Sequence, residues 1–271
     1  MSAEPVVERY SDALSLTRSG RVVVVTLDRG DGLNALSRPV VGELTTLAHD
    51  LYSDTRSSVV VLHGAGAFSA GFDLKDSPLA GAAKPTLLER REALKAGPVL
   101  CAAWERLEQI TIAAVERFCI GGGVALALAC DHRIAAEDAH FRLPEVPLGM
   151  NMSWQSNPRT VALVGPSRAK RFTILGEKLP APTALEWGLV DEMTAPGEAL
   201  VAAEALAERY GAMPPIPLRM TKTAINAAAN ALHHTVSYMD RDQFLLASTT
   251  QDQREGVRAF LEKRPSVFKG D

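Results

Sequence analysis

One stretch, Ile110–Met150, limits the folds open to this chain: ITIAAVERFCIGGGVALALACDHRIAAEDAHFRLPEVPLGM. Ile110–Val115 is a short apolar run with two isoleucines, which suits a buried strand. Gly121, Gly122 and Gly123 follow a five-residue break, and then comes VALALAC, closed by Asp131. Three glycines before an apolar helix bare the backbone N–H groups at its start. Those groups have no intrahelical partner, and the helix dipole adds positive potential there. Such an end can hold an anion or a developing oxyanion. His140–Leu143 reads as a second short strand running into Pro144-Glu145, which leaves a carboxylate at the strand's end. An oxyanion site and one acid group then face each other across a cleft. The same letters also fit plain packing, with the glycines as a tight turn or close helix–sheet contact and Pro-Glu as a surface turn.

The rest of the composition narrows the class. With 271 residues, 46% of them hydrophobic and 23% charged, the chain can bury a substantial core in one large domain or two small ones. A net charge of -3 without a Lys/Arg run argues against a nucleic-acid or anionic membrane surface. No apolar run approaches the ~20 residues that span a bilayer. The start, MSAEPVVERYSDAL, is acidic and polar rather than a secretory signal. Cys101, Cys119 and Cys130 lack CxxC spacing and read as free thiols, which predicts a reducing, cytoplasmic location.

Along the chain, residues 1–9 read as a loose lead-in. Ala13–Arg18 and Arg21–Leu27 flank Ser19-Gly20 as a hairpin, and VVVVTL reads as buried on both faces. Ser37 and Pro39 mark the start of a helix running to about Tyr52. Ser57–His63 is the next buried strand, followed by the loop Gly64–Asp76 at the edge where α/β proteins place ligands. Residues 77–86 have the small and Pro-containing composition of a cover loop. A helix is expected from Leu87 to Leu107. Beyond Met150 strands fade. Helices are expected at Pro166–Leu175, Pro182–Trp187, Glu198–Gly211, Leu218–Leu232 and Met239–Lys263, with a short strand at Leu189–Thr194. The fold class is α/β, with repeated strand-strand-helix units and a helical C-terminal third.

Several motifs fail. The glycine run has Leu126 where a dinucleotide fingerprint wants Gly or Ala. No Walker A sequence, HExxH or paired Cys/His cluster is present. His63, His132 and His140 flank apolar segments and read as structural hydrogen bonders. Ala67-Phe68-Ser69-Ala70-Gly71 is a near miss for the serine-hydrolase elbow, whose first position wants Gly, so an acyl hydrolase using Ser69 stands as a rival reading.

Taken together the segments resemble the crotonase family, the enoyl-CoA hydratases and isomerases. Leu33-Asn34-Ala35-Leu36 looks like its NAL turn, and Phe68–Leu74 resembles its F-C/S-A-G-x-D-L loop. Gly121–Gly123 before ALALACD resembles its GGG helix start, and Leu143-Pro144-Glu145 with Leu148-Gly149 its P-E-x-x-L-G segment. Val164–Ala169, Trp187–Asp191 and Arg254–Arg264 resemble its later G-x-x-R-A, G-L-V-D/N and E-G-x-x-A-F-x-E-K-R signatures. The resemblance implies a crotonase-like ββα spiral core over 1–197 and a helical region over 198–271 that oligomerises and completes the CoA site. It implies homotrimers or dimers of trimers, and acyl-CoA thioester substrates. Coenzyme A would arrive as part of the substrate, with no permanently bound cofactor and no metal. The family's oxyanion donors map onto the backbone N–H groups of Phe72 and Gly122. Asn34, Ala35, Leu36 and Ala70 map onto backbone that holds CoA. Phe260 and Lys263 match positions lining the CoA and acyl site, often from a neighbouring subunit.

The match departs at one telling position. A two-glutamate hydratase carries GGG-x-E, and here that position is Ala125, while the second glutamate maps onto Glu145. Water addition shares its work between two carboxylates, whereas moving a double bond needs one base that takes and returns a proton. An isomerase-type site is therefore expected, with hydration or non-catalytic acyl-CoA binding as alternatives. A second acid entering from Asp76 or Glu89 is left open. Met150, Met152 and Trp154 are expected to shape an apolar acyl pocket, Asp73 and Asp131 to be structural hydrogen bonders, and Glu116-Arg117 has no functional account.

Overall fold

The computed structural model describes residues 6–76 and 85–271. Its main sheet has seven strands in the order β1-β2-β3-β4-β5-β7-β10. In chain order these are β1 (Val6–Arg9), β2 (Leu14–Ser19), β3 (Val22–Leu27), β4 (Val59–Gly64), β5 (Ile110–Val115), β7 (His132–Ala136) and β10 (Glu192–Thr194). The first three are antiparallel neighbours, and from β3 onward every pairing is parallel. A second, three-stranded sheet joins β6 (Phe118–Ile120), β8 (His140–Arg142) and β9 (Leu179–Pro180).

The β-branched run of β3 is buried along almost its whole length because helices cover both faces of the sheet. On one face lie α1 (Arg38–Tyr52), α3 (Ala96–Glu105) and α4 (Gly122–Leu128), reached after α2 (Leu87–Ala93). Ser37 caps α1 through its hydroxyl, and Trp104 of α3 donates its indole N–H to Leu44 O at 3.2 Å. After α5 (Ser156–Leu175) and α6 (Ala181–Trp187), helix α7 (Ala199–Gly211) covers the opposite face. There Ala199, Ala203 and Ala207 pack on Val22, Val24, Val59, Val61, Ile112 and Ile134. By packing, α7 belongs with the sheet, although a boundary was expected just before it. The helices beyond it are α8 (Pro215–Ala229), α9 (His233–Ser237), α10 (Asp240–Ala247) and α11 (Gln251–Leu261).

Several expectations are corrected. The lead-in contains a strand, β1, whose edge pairing needs only β2 as partner. The single helix expected over 87–107 is two, α2 and α3. Pro98 has no N–H to give to a preceding turn, so it is tolerated only in the first turn of a new helix. The helix expected over 239–263 is also two, because Thr250 caps α11 by accepting from Gln253 N–H at 3.1 Å. α5 is two helical stretches joined at Gly165, whose φ 77° and ψ 165° are not helical; the stretch expected from Pro166 starts there, and the one from Ser156 to Val164 is the helix not expected. Strands β6 and β9 carry too few residues to show a period. The cover loop falls largely on residues 77–84, outside the described residues.

Candidate active site

The carboxyl ends of the parallel strands β4 and β5 release two loops that run side by side. After β4, Ser69 pairs with Cys119 in an isolated parallel bridge, and Phe72 pairs likewise with Leu36. In the second bridge Leu36 N–H donates to Gly71 O at 2.7 Å and Asp73 N–H donates to Leu36 O at 3.1 Å. The groups of Phe72 itself therefore point away from Leu36, since successive backbone groups alternate in direction. Gly71 makes the turn possible with φ +87°, and a Cβ there would meet Ile120 O at 2.6 Å. The second loop enters α4. Gly121 N–H is taken by Arg142 O at 2.8 Å, whereas Gly122 is the first residue of the helix. No described residue accepts a hydrogen bond from the N–H of Phe72 or of Gly122.

Glu145 follows β8 through Leu143-Pro144 and opens a 3-10 turn, Val146–Leu148. Its main-chain carbonyl accepts from Leu148 at 3.1 Å and Met150 at 2.9 Å, which fixes the backbone. The side chain turns inward, and a Cβ on Gly121 would come within 2.8 Å of its Oε1. Oε2 is buried without a hydrogen-bond partner among the described residues. Burial raises the carboxyl from 4.5 to about 7, against a smaller lowering by its own backbone and by Arg142.

Both loops and Glu145 open on one cavity of about 510 Å³. Ala70, Phe72, Gly122, Glu145 and Phe260 line it, and Glu145 supplies the one carboxylate among its described lining residues. Met150, Met152 and Trp154 line it as well. Phe260 reaches it from α11 of the same chain and is half exposed. Asn34, Ala35 and Leu36 lie behind the lining. Asn34 is buried and donates its amide to Ala65 O at 3.0 Å and Ala67 O at 2.8 Å, so it holds the loop's shape. Lys263 is exposed beyond the end of α11 and does not line the cavity.

Other expectations resolve on local contacts. Ser69 is buried; its hydroxyl donates to Asn34 O at 2.8 Å and accepts from Gly71 N–H at 3.0 Å. It locks the loop and donates to a main-chain carbonyl instead of to a base among the described residues, which weighs against the hydrolase reading. Ala125 is fully buried in the core. Asp76 is held by Arg38 at 2.9 Å and Glu89 by Thr86 in a capping box, and neither lines the cavity. His63 bonds Thr26 and His132 bonds Tyr210, each at 2.8 Å. Asp73 pairs with Arg29 at 3.0 Å, and Asp131 with Lys222 at 2.6 Å. The Glu116 carboxylate accepts from Gly197 and Ala199 N–H at 3.0 and 2.9 Å, so it caps α7. Sequence reasoning missed Arg38, Phe244, Ser248, Gln253 and Val257 as lining residues, because they come from distant helices with no local signal.

Comparison with known proteins bears on the family and the fold. The enoyl-CoA hydratase/isomerase family profile matches residues 17–271. A short-chain-enoyl-CoA hydratase from Clostridium acetobutylicum is 32% identical, over 92% of this chain and 94% of its own. A 2,3-dehydroadipyl-CoA hydratase from Escherichia coli is 33% identical, over 95% and 98%. The crystal structure of a carnitinyl-CoA hydratase from Mycobacterium avium superposes with a TM-score of 0.83 at 31% identity, covering 96% of this chain and 100% of that one. With the two-loop cleft, the profile match and the shared fold in hand, the chain belongs to the crotonase, or enoyl-CoA hydratase/isomerase, family.

Proposed function

We propose that this enzyme moves a double bond within an enoyl-CoA thioester, with Glu145 as its single acid/base. The observation that carries this reading is the Glu145 carboxyl, buried, raised to about 7 and alone among the carboxylates of the described cavity lining. As carboxylate it takes a proton from the carbon between the thioester carbonyl and the double bond of a 3-enoyl-CoA. The electron pair moves into a dienolate whose charge rests largely on the thioester oxygen. The N–H groups of Phe72 and Gly122 stabilise that oxygen; loss of one such donor costs on the order of 10²–10³ in rate. The neutral carboxyl then returns the proton to the far carbon, leaving 2-enoyl-CoA and the original carboxylate. A pKa near neutrality serves both halves of this shuttle.

In this reading CoA arrives with its acyl group and lies along the loop that Asn34, Ala35, Leu36 and Ala70 shape. Phe260 closes the mouth, and Lys263, just past the end of α11, serves the anionic end of CoA. The exposed apolar residues Met213, Ile216, Met220, Ile225, Leu232 and Val236 support a homotrimer or dimer of trimers built through the region from Met213 onward. Three buried free thiols favour a reducing, cytoplasmic location.

Hydration of 2-enoyl-CoA is the second reading, favoured by the hydratase names of the similar proteins from C. acetobutylicum and E. coli. Ala125 in place of a second glutamate weighs against it. Assays of 3-enoyl-CoA isomerisation and 2-enoyl-CoA hydration, with wild type and Glu145→Gln, separate the two. Isomerisation that the substitution cuts by about 10²–10⁴ is the expected outcome. Brisk hydration with no isomerisation would transfer the assignment to hydratase. Binding of both esters without turnover would leave only an acyl-CoA-binding protein.

A further inference from the structure

We propose that Trp154 sets the acyl size this site accepts, its indole forming a fixed wall that admits short acyl groups and turns long ones away. The inference rests on the acyl-CoA reading above and deepens it to a substrate class.

The indole sits in a slot cut by two glycines. A Cβ on Gly97, in the first turn of α3, would meet Trp154 Cε2 at 2.0 Å and Nε1 at 2.2 Å. A Cβ on Gly122 would meet its Cη2 and Cζ3 at 2.8 Å. Phe72 meets the same ring edge-on, with centroids 6.3 Å apart. The indole therefore touches both residues whose N–H groups are assigned to the thioester oxygen. On the neighbouring glycine, Gly121, the close contact is Glu145 Oε1 instead. An acyl chain whose carbonyl oxygen is held at Gly122 must leave with the carboxyl on one side and the indole on the other. Buried Leu148 and Met152 also line the cavity.

The wall cannot easily swing away. Trp154 and Gln155 both have φ 59°, a left-handed pair that L-residues keep only where the surroundings over-determine it. Gln155 N–H donates to Asp240 Oδ2 at 2.7 Å. Arg159 donates to the carbonyls of Trp154 and Gln155, both at 3.1 Å, and is itself held by Glu105 at 2.9 Å. Trp154 N–H donates to Ser153 Oγ at 2.6 Å. Of these partners only Ser153 lines the cavity, so Gln155, Arg159, Glu105 and Asp240 hold the wall from outside the acyl space.

The test titrates butyryl-CoA, octanoyl-CoA and dodecanoyl-CoA into wild type, Trp154→Ala and Trp154→Phe by calorimetry. These saturated esters report binding without needing turnover. Wild type is expected to bind butyryl-CoA best. Trp154→Ala is expected to raise the dodecanoyl-to-butyryl affinity ratio at least about 10-fold, since a single methylene in an apolar pocket is worth roughly 10-fold or more in discrimination. Trp154→Phe, which keeps an aromatic plane and guards against a misfolded alanine variant, is expected to lie between. Chain-length profiles that run parallel in wild type and Trp154→Phe, and in Trp154→Ala where it folds, would overturn the size-selection role alone. A wild type that binds none of the three esters would overturn the acyl-CoA reading and this inference together.

Discussion

At the scale of single residues, Glu145 carries the strongest predictions. It must be a carboxylate to take the proton, and burial raises it to about 7. Turnover is therefore expected to climb as pH passes from 6 to 8, with an apparent pKa near 7 in kcat/KM; a profile flat across that range would remove Glu145 as the base. Ser69 carries the opposite expectation. Ser69→Ala removes two hydrogen bonds that pin Asn34 and Gly71, at a cost of about 1–3 kcal/mol in denaturant unfolding, yet leaves turnover within a few-fold. A loss of several orders of magnitude would bring the nucleophile back. Ala70 and Glu145 were readable as letters because their chemistry follows a motif. Trp154 was readable as an apolar residue, but its contact with Gly97 and Gly122 was not, since these positions lie far apart along the chain.

At the scale of elements, α11 docks through close backbone approach. A Cβ on Gly256 would meet the Leu148 carbonyl carbon at 2.6 Å, and one on Gly149 would meet Gln253 Cα at 2.5 Å. That contact seats the C-terminal helix on the turn carrying Glu145 and puts Val257 and Phe260 on the cavity. Gly256→Val is expected to lift α11, raise KM for acyl-CoA about 10-fold or more, and speed amide exchange over 251–261; unchanged KM with unchanged exchange would show that the helix does not complete the site. The helix breaks at Pro98 and Thr250 were present as letters. Periodicity alone passed through both, because apolar spacing continues across a turn that a proline or a cap redirects.

At the scale of the whole molecule, one buried acid couples stability to pH. The folded chain holds its Glu145 proton up to about 7, whereas an unfolded glutamate releases it near 4.5. Between those values the folded state binds more protons, so this group's contribution to stability falls as pH rises through the window. Glu145→Gln is expected to gain on wild type by at most about 3 kcal/mol between pH 4.5 and pH 8, read from paired denaturant unfolding curves. A difference that stays constant over that range would contradict the buried charge. The exposed apolar side chains from α8 onward give a second expectation, sedimentation as a trimer or hexamer; a monomer at micromolar concentration would refute it. The linear sequence determined strands β2 to β5, the glycine-started helix and Glu145 at the end of a short strand, because each rests on neighbours in the chain and on apolar period. Only the tertiary structure decided that Asn34 and Ser69 brace the loop, that Glu116 caps α7, that Phe260 serves its own chain's cavity, and that Trp154 lies against Gly122. Those outcomes depend on which distant surfaces meet, and no local pattern of residues encodes that distance.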